Sequence, residues 1–174
     1  MGATAVQLGS SIKTQVERRA GSTYVALAGH INEAINLTPL TQLPPPLTID
    51  LSGLERINSV GVRNWMDFVR KCETSQIPLT FERCSPIIVG QISMITGFMG
   101  ARSHVKSIDV PYRCAACSNE GLQVLEIAQG AEILHSIPCP KCQSKMELDD
   151  LEDIYAEVVR SLVARAAGMK RPRS

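Results

Sequence analysis

Leu47-Thr48-Ile49-Asp50-Leu51-Ser52-Gly53-Leu54-Glu55-Arg56-Ile57-Asn58-Ser59-Val60-Gly61 reads as a strand that runs through a loop into a helix. Alternation puts Leu47, Ile49 and Leu51 on one face of the strand, and Ser52-Gly53 is expected to end it. Asn58 and Ser59 are both residue types that cap a helix, because a short side-chain oxygen can accept from the first free backbone N–H groups. The helix then extends to about Cys72. Val62, Trp65, Met66, Val69 and Cys72 recur three or four apart and make its apolar face, while Arg63, Asp67, Arg70 and Lys71 point elsewhere.

The same alternation of elements continues on both sides. Downstream, Ile77 to Phe81 begins a strand, an uncharged stretch from Cys84 to Ala101 carries Ile88, Ile92, Ile95 and Met99 at helical spacing, and His104 to Val110 reads as another strand. The uncharged stretch is interrupted by Pro86, Gln91, Gly97 and Gly100. A spanning helix needs about 20 mostly apolar residues, so the spacing predicts an amphipathic surface helix and no membrane span. Its second side, Val89, Met94 and Phe98, is apolar enough to meet a partner. Upstream, Ile12 to Arg18 and Thr23 to Ala28 form a hairpin about Arg19-Ala20-Gly21-Ser22. Gly29 breaks the second strand, a short helix can start at Asn32, and Pro44-Pro45-Pro46 closes a connector. Strand–helix–strand–helix–strand at these intervals predicts an α/β layer.

The 174 residues suffice for one domain with a small appendage. Eighteen basic and seventeen acidic side chains nearly cancel, which disfavours broad electrostatic binding of nucleic acid or anionic lipid. Aromatics are 4%, too few for a base-stacking platform. The unusual component is cysteine. Cys114-Ala115-Ala116-Cys117 and Cys139-Pro140-Lys141-Cys142 are two CxxC pairs with 21 residues between them. Each such turn can direct two thiolates at one ion, and two turns supply the four of a tetrahedral Zn²⁺ site. Met1 to Ser11 has no basic start and no apolar run, so a cytoplasmic, reducing setting is expected, where such cysteines bind metal more often than they pair as disulfides. Iron uses similar turns, thiol–disulfide chemistry needs only one pair, and catalytic zinc needs an open position that four cysteines close. Structural zinc is favoured. Cys72 and Cys84 read as packed hydrophobes, and His30, His104 and His135 are too scattered to add a ligand.

The segment between Tyr112 and Met146 holds these pairs, with candidate strands at Leu122 to Ile127 and Ile133 to Ile137. Asp149 to Ala167 then reads as a helix striped by Leu148, Leu151, Tyr155, Val158, Val159 and Leu162. Acidic residues fill its first turns, and Arg160 and Arg165 lie near its end, as the helix dipole prefers. Lys170-Arg171-Pro172-Arg173 is a short basic tail. The resulting organisation is an α/β domain over 1–111, a metal-bearing insertion over 112–147, a returning helix over 148–168 and a tail over 169–174.

Two family resemblances follow. The cysteine segment resembles a zinc ribbon, with Ser118-Asn119 and Gln143 standing where ribbons commonly turn left-handed at Gly. The Ile49–Gly61 stretch resembles the STAS family, the sulfate transporter and anti-sigma factor antagonist domains. That family's core strand ends in Asp-Leu-Ser-Gly-Leu or similar, and an Asp-Ser-Ser-Gly or Asp-Ser-Ala-Gly opens the next helix. Val25-Ala26-Leu27-Ala28-Gly29-His30-Ile31-Asn32 looks like its second strand and the segment that follows. The likeness covers the first two-thirds and the last helix, and it implies a STAS-like mixed sheet with packed helices and a zinc-ribbon insertion before the C-terminal helix. It also implies a non-enzymatic regulatory module whose partner is an anti-sigma-like serine kinase or a signalling complex. The phosphorylated serine of the family corresponds to Ser59, and the partner surface to Asn58, Ser59, Val60, Gly61 and Arg63. Here Asn58 replaces the family's Asp and Val60 a small residue, so a constitutive binding platform is the other form of the same reading. A homodimer is compatible with either. The alternative of another class is a zinc-ribbon transcription-associated or nucleic-acid-binding adaptor, using the ribbon and the basic tail.

Overall fold

The computed structural model describes residues 6–150 and 152–169. Leu151 of the predicted helix stripe and the basic tail lie outside the described residues. Strands β1 (Ile12–Arg19), β2 (Ser22–Ile31), β3 (Leu47–Ile57), β4 (Leu79–Glu82) and β5 (His104–Val105) form one mixed sheet in that spatial order. Only β1 and β2 are antiparallel. Their two-residue turn, Ala20-Gly21, has positive φ at both positions, the turn whose twist matches a tight hairpin. Helix α1 (Ser59–Thr74) links β3 to β4, and α2 (Pro86–Met94) links β4 to β5. The chain is therefore α/β.

The core of this layer explains both the α1 stripe and the uncharged segment. Trp65 is wholly buried, with the rings of Phe68, Phe81 and Phe98 centred 5.8, 5.5 and 5.8 Å from its own. Its indole N–H donates to the Phe98 carbonyl at 3.0 Å, so the polar edge of the ring is satisfied in the dry interior. Phe68, on the same helix, joins the buried face beyond the five residues that the periodicity selects.

Three expectations are corrected here. Strand β3 does not stop at Ser52-Gly53 but continues to Ile57, past a register shift against β2. A Cβ on Gly53 would lie 2.6 Å from the Ala28 Cβ, so glycine permits the close approach of two strands and does not end one. The helix expected over Cys84 to Ala101 is only the nine residues of α2. Gly97 and Gly100 then turn with positive φ, and the chain folds back so that Phe98 and Met99 are buried along with Ile88 and Val89. The lack of charge thus reflects burial on both sides, and Met94 alone of these projects strongly into solvent. At Asn32 there is a turn and no α-helix: its side chain accepts from the Ala34 N–H at 3.0 Å, and only a short 3₁₀ segment, Thr38–Gln42, follows.

The strand expected over His104 to Val110 is divided. His104–Val105 stays in the first sheet, and β6 (Ser107–Cys114) starts a second, antiparallel one with β7 (Glu120–Glu126), β8 (Ser136–Pro138) and β9 (Lys145–Leu148), in the order β7-β6-β9-β8. The 111/112 position falls inside β6. The Cys84 N–H donates to the Ser107 carbonyl at 3.1 Å and the Asp109 N–H to the Cys84 carbonyl at 2.9 Å, which ties β6 to the end of β4. Helix α3 (Glu152–Met169) begins three residues later than expected. Asp149 is instead held in the second sheet, where its N–H donates to the Pro111 carbonyl and its carboxylate meets Arg113. Tyr155, Val158, Val159 and Leu162 are buried as the stripe requires. Arg165 does not answer the helix dipole: its guanidinium donates to the Ser103 carbonyl at 2.7 Å and fixes α3 across the first layer. Among the described residues no helix is long and apolar enough to cross a membrane.

Candidate metal centre

The two cysteine turns are built alike. In the first, which joins β6 to β7, the Cys114 N–H donates to the Asn119 carbonyl at 2.8 Å and the Ser118 N–H to the Cys114 carbonyl at 2.9 Å. In the second, which joins β8 to β9, the Cys139 N–H donates to the Ser144 carbonyl at 2.7 Å and the Gln143 N–H to the Cys139 carbonyl at 2.9 Å. Ser118 and Gln143 both take positive φ, 55° and 62°. The left-handed position that ribbons commonly fill with glycine is therefore present in both turns, carried by residues that pay a small steric cost for it. Pairing of β6 with β9, Cys114 opposite Met146, brings the two turns to the same end of the sheet.

The four Sγ atoms of Cys114, Cys117, Cys139 and Cys142 lie within 4.8 Å of one another. Cys114 and Cys142 are 3.5 Å apart, and Cys117 and Cys139 are 3.7 Å apart. These separations are well beyond a bond between sulfurs. A tetrahedral ion with Zn–S bonds of about 2.3 Å has sulfur–sulfur edges of about 3.8 Å, so these two edges match those of such an ion. Cys114 and Cys139 are buried and Cys142 is exposed, so the site sits at the rim of the sheet with one side toward solvent.

The surroundings favour thiolate at some positions and not at others. The Ser144 hydroxyl and backbone N–H, with help from the neighbouring thiols, hold Cys142 down at about 6. Cys139 is also lowered: burial opposes its ionisation, but the backbone N–H groups of Cys142 and Lys141 outweigh it. At Cys117 the Asn119 N–H favours the thiolate, yet burial and the three other sulfurs push the group up to about 12. Four crowded thiols cannot all ionise alone, and a bound cation removes that conflict by neutralising them together. Ser144 is a contributor that the sequence reading missed. Its place, two residues after the second CxxC pair and matching Asn119 after the first, is the signal that marks it.

The remaining sequence candidates lie apart from this centre. Cys72 and Cys84 are fully buried in the first layer, and burial pushes the Cys72 thiol up to about 11. His30 meets Glu55 at 3.2 Å and His135 meets Glu152 at 2.7 Å, and neither joins the cysteines. At the start of α1, Asn58 is the N-cap: its Oδ1 accepts from the Gly61 N–H at 2.8 Å, and its Nδ2 donates to a Glu33 carboxylate oxygen at 2.8 Å. Ser59, Val60 and Arg63 are exposed. Gly61 is buried under them, where a Cβ would stand 2.2 Å from the Ile31 carbonyl oxygen, so its role is the close contact of α1 with β2. The Ser59 face and the cysteine centre are thus formed by different elements. No family model matches the chain, and no curated protein matches it significantly.

Proposed function

We propose that this chain is a non-enzymatic, cytoplasmic protein-binding module of STAS-like regulatory type, with a structural zinc ion held by Cys114, Cys117, Cys139 and Cys142. The observation that carries the zinc reading is the set of four sulfurs within 4.8 Å on two turns of matching hydrogen-bond pattern. Four cysteines close the coordination shell, so the ion would supply folding energy and not chemistry. The regulatory reading draws on the resemblance around Ile49–Gly61 and on the exposed start of α1. The surface would consist of Asn58, Ser59, Val60 and Arg63, with Gly61 supporting it from beneath.

A phosphate on Ser59 would add nearly two negative charges at the first residue of α1. The helix dipole tolerates that charge, so α1 would persist. The change would fall on the partner, which would meet a charge beside Val60, with Glu33 already adjacent through Asn58. An anti-sigma-like serine kinase is the class of partner that both adds such a phosphate and is released by it.

Two measurements test the proposal. Freshly purified reduced protein should contain one zinc per chain, lost in Cys139→Ser, and metal-free protein would remove the zinc reading. Capture from the native cell with wild-type, Ser59→Ala and Ser59→Glu baits should retain a common partner on the first two and lose it on the third. Equal retention by all three baits would remove the switch.

A further inference from the structure

Each edge of the two sheets offers unpaired backbone groups, and the described edges are protected very unequally. Strand β1 carries Lys13, Arg18 and Arg19, β5 is two residues long, and β8 is three residues long and ends in Pro138. Short length, charged side chains and proline are the usual protections of a sheet edge. Strand β7 has only the two glutamates at its ends, with an uncharged stretch between them. It runs seven residues, Glu120-Gly121-Leu122-Gln123-Val124-Leu125-Glu126, in unbroken register with β6 alone. All of it but Leu125 is exposed, including Leu122 at 52% and Val124 at 44%.

The strand also has a pattern. Glu120, Leu122, Val124 and Glu126 share one face, acid–apolar–apolar–acid; Glu120 also meets Arg113 of β6 at 2.7 Å while staying exposed, so Glu126 is the stronger of the two anchors for a basic side chain. Toward the other face, Gln123 and Leu125, with part of Val124, border a cavity of about 300 Å³, whose wall includes Val110, Tyr112, Ile133 and Leu134. The loop that forms this wall makes no backbone hydrogen bond to β7. A second copy of the chain is a poor occupant, because antiparallel pairing about Gln123 would set Glu120 against Glu126 at both ends.

We infer that β7 is a docking edge for an extended basic segment of a partner protein, which adds as a fifth strand to the second sheet. The incoming segment has two basic residues six apart that face Glu120 and Glu126. Two apolar residues between them cover Leu122 and Val124, and a central apolar side chain enters the cavity from the other face. Because the acid–apolar–apolar–acid pattern reads nearly the same in both directions, charge does not fix the strand direction; the slightly better antiparallel pairing would. This surface lies on the cysteine segment and does not depend on the Ser59 switch. It does depend on the Cys114–Cys117 turn, which launches β7, and so rests on the metal reading.

The test uses full-length zinc-loaded protein and a labelled peptide, Lys-Ser-Val-Phe-Val-Ser-Lys, with its Glu-flanked counterpart as control. The lysine peptide should bind about tenfold more tightly, since two cross-strand charge pairs change from attraction to repulsion. Glu126→Lys should shrink or reverse that preference, Leu122→Lys should weaken binding of both peptides, and bound peptide should slow hydrogen exchange at β7 amides. Equal binding of the two peptides, no binding at millimolar peptide, or self-association that Leu122→Lys dissolves would each overturn the inference. Zinc content is read on the same samples. Zinc present with peptide unbound overturns the docking edge and leaves the metal reading intact; freshly purified protein that carries no zinc yet prefers the lysine peptide keeps the edge and overturns the metal reading.

Discussion

The five-stranded sheet and the four-stranded sheet are made of similar strands but differ in what stands behind them. Behind the first lie α1, α2 and a continuous interior in which Val25, Leu27, Ile49, Leu51, Trp65 and Phe81 are almost wholly excluded from water. In the second, six of the seven residues of β7 are exposed, few side chains such as Tyr112 and Met146 are buried, and four sulfurs meet at its rim. Burial stabilises by about 25 cal/mol per Å² of apolar surface, so the first layer can hold itself together and the second has little to draw on. A metal is what a small sheet of this kind uses in place of a core. Strand β6 belongs to both: Ile108 and Val110 are in the buried cluster, while Cys114 at its end belongs to the metal centre.

The largest expected effect follows from that difference. Removing the ion by chelation, or by Cys139→Ser, should take away a binding free energy on the order of 10 kcal/mol that is also folding free energy for the second sheet. Hydrogen exchange should show protection lost across β7, β8 and β9, reduced along β6, and kept in β2, β3 and β4. Cys84→Ala, in the other layer, should keep its zinc. Loss of protection in both sheets together would break the comparison and make the chain one cooperative unit.

Trp65→Ala probes the opposite side and should cost about 3–5 kcal/mol, the usual range for deleting a large buried aromatic. It also leaves the Phe98 carbonyl without its donor. Urea unfolding in the presence of zinc should show the lower midpoint, while metal content stays at one per chain. A variant that lost its zinc as readily as Cys139→Ser would show that the second sheet needs the first layer as well as its ion.

How much of this was legible in the chain depends on whether the cause was local. The two CxxC pairs are local chemistry, and their spacing pointed to the cluster that the structure brings together. The α1 stripe and the Asn58 cap are local too. The extent of α2 was not legible, because Phe98 and Met99 keep the apolar spacing after the helix has ended at Met94 and Gly97 has turned the chain. The continuation of β3 was hidden for the same kind of reason: Gly53 signals a break until Ala28 on the neighbouring strand is known to sit against it. Strand β9 went unread because Lys145–Leu148 is short and half polar, and because Asp149 looks like the first turn of a helix until Arg113 and Pro111 claim it. The positive φ at Ser118 and Gln143 has no glycine to mark it; only the resemblance to ribbon turns pointed to those positions, and the turn geometry imposes it on residues that do not seek it.

The smallest effect concerns the N-cap residue of α1, within the proposed partner surface, and it should leave the metal untouched. Asn58 does two things at once: Oδ1 caps α1 through the Gly61 N–H, and Nδ2 donates to Glu33. Asn58→Ala removes both and should cost about 1 kcal/mol, the usual value of an N-cap. Asn58→Asp keeps the cap and adds a charge that the helix dipole favours, but it has no donor for Glu33 and sets a second carboxylate beside it. The Asp variant should therefore unfold at a urea concentration close to that of the wild type, and the Ala variant measurably below both, all with one zinc per chain. If Ala and Asp were equally destabilised, the Glu33 contact and not the cap would be what Asn58 contributes. The amide would then be required where the resembling family has an acid, and the departure at this position would have a structural cause.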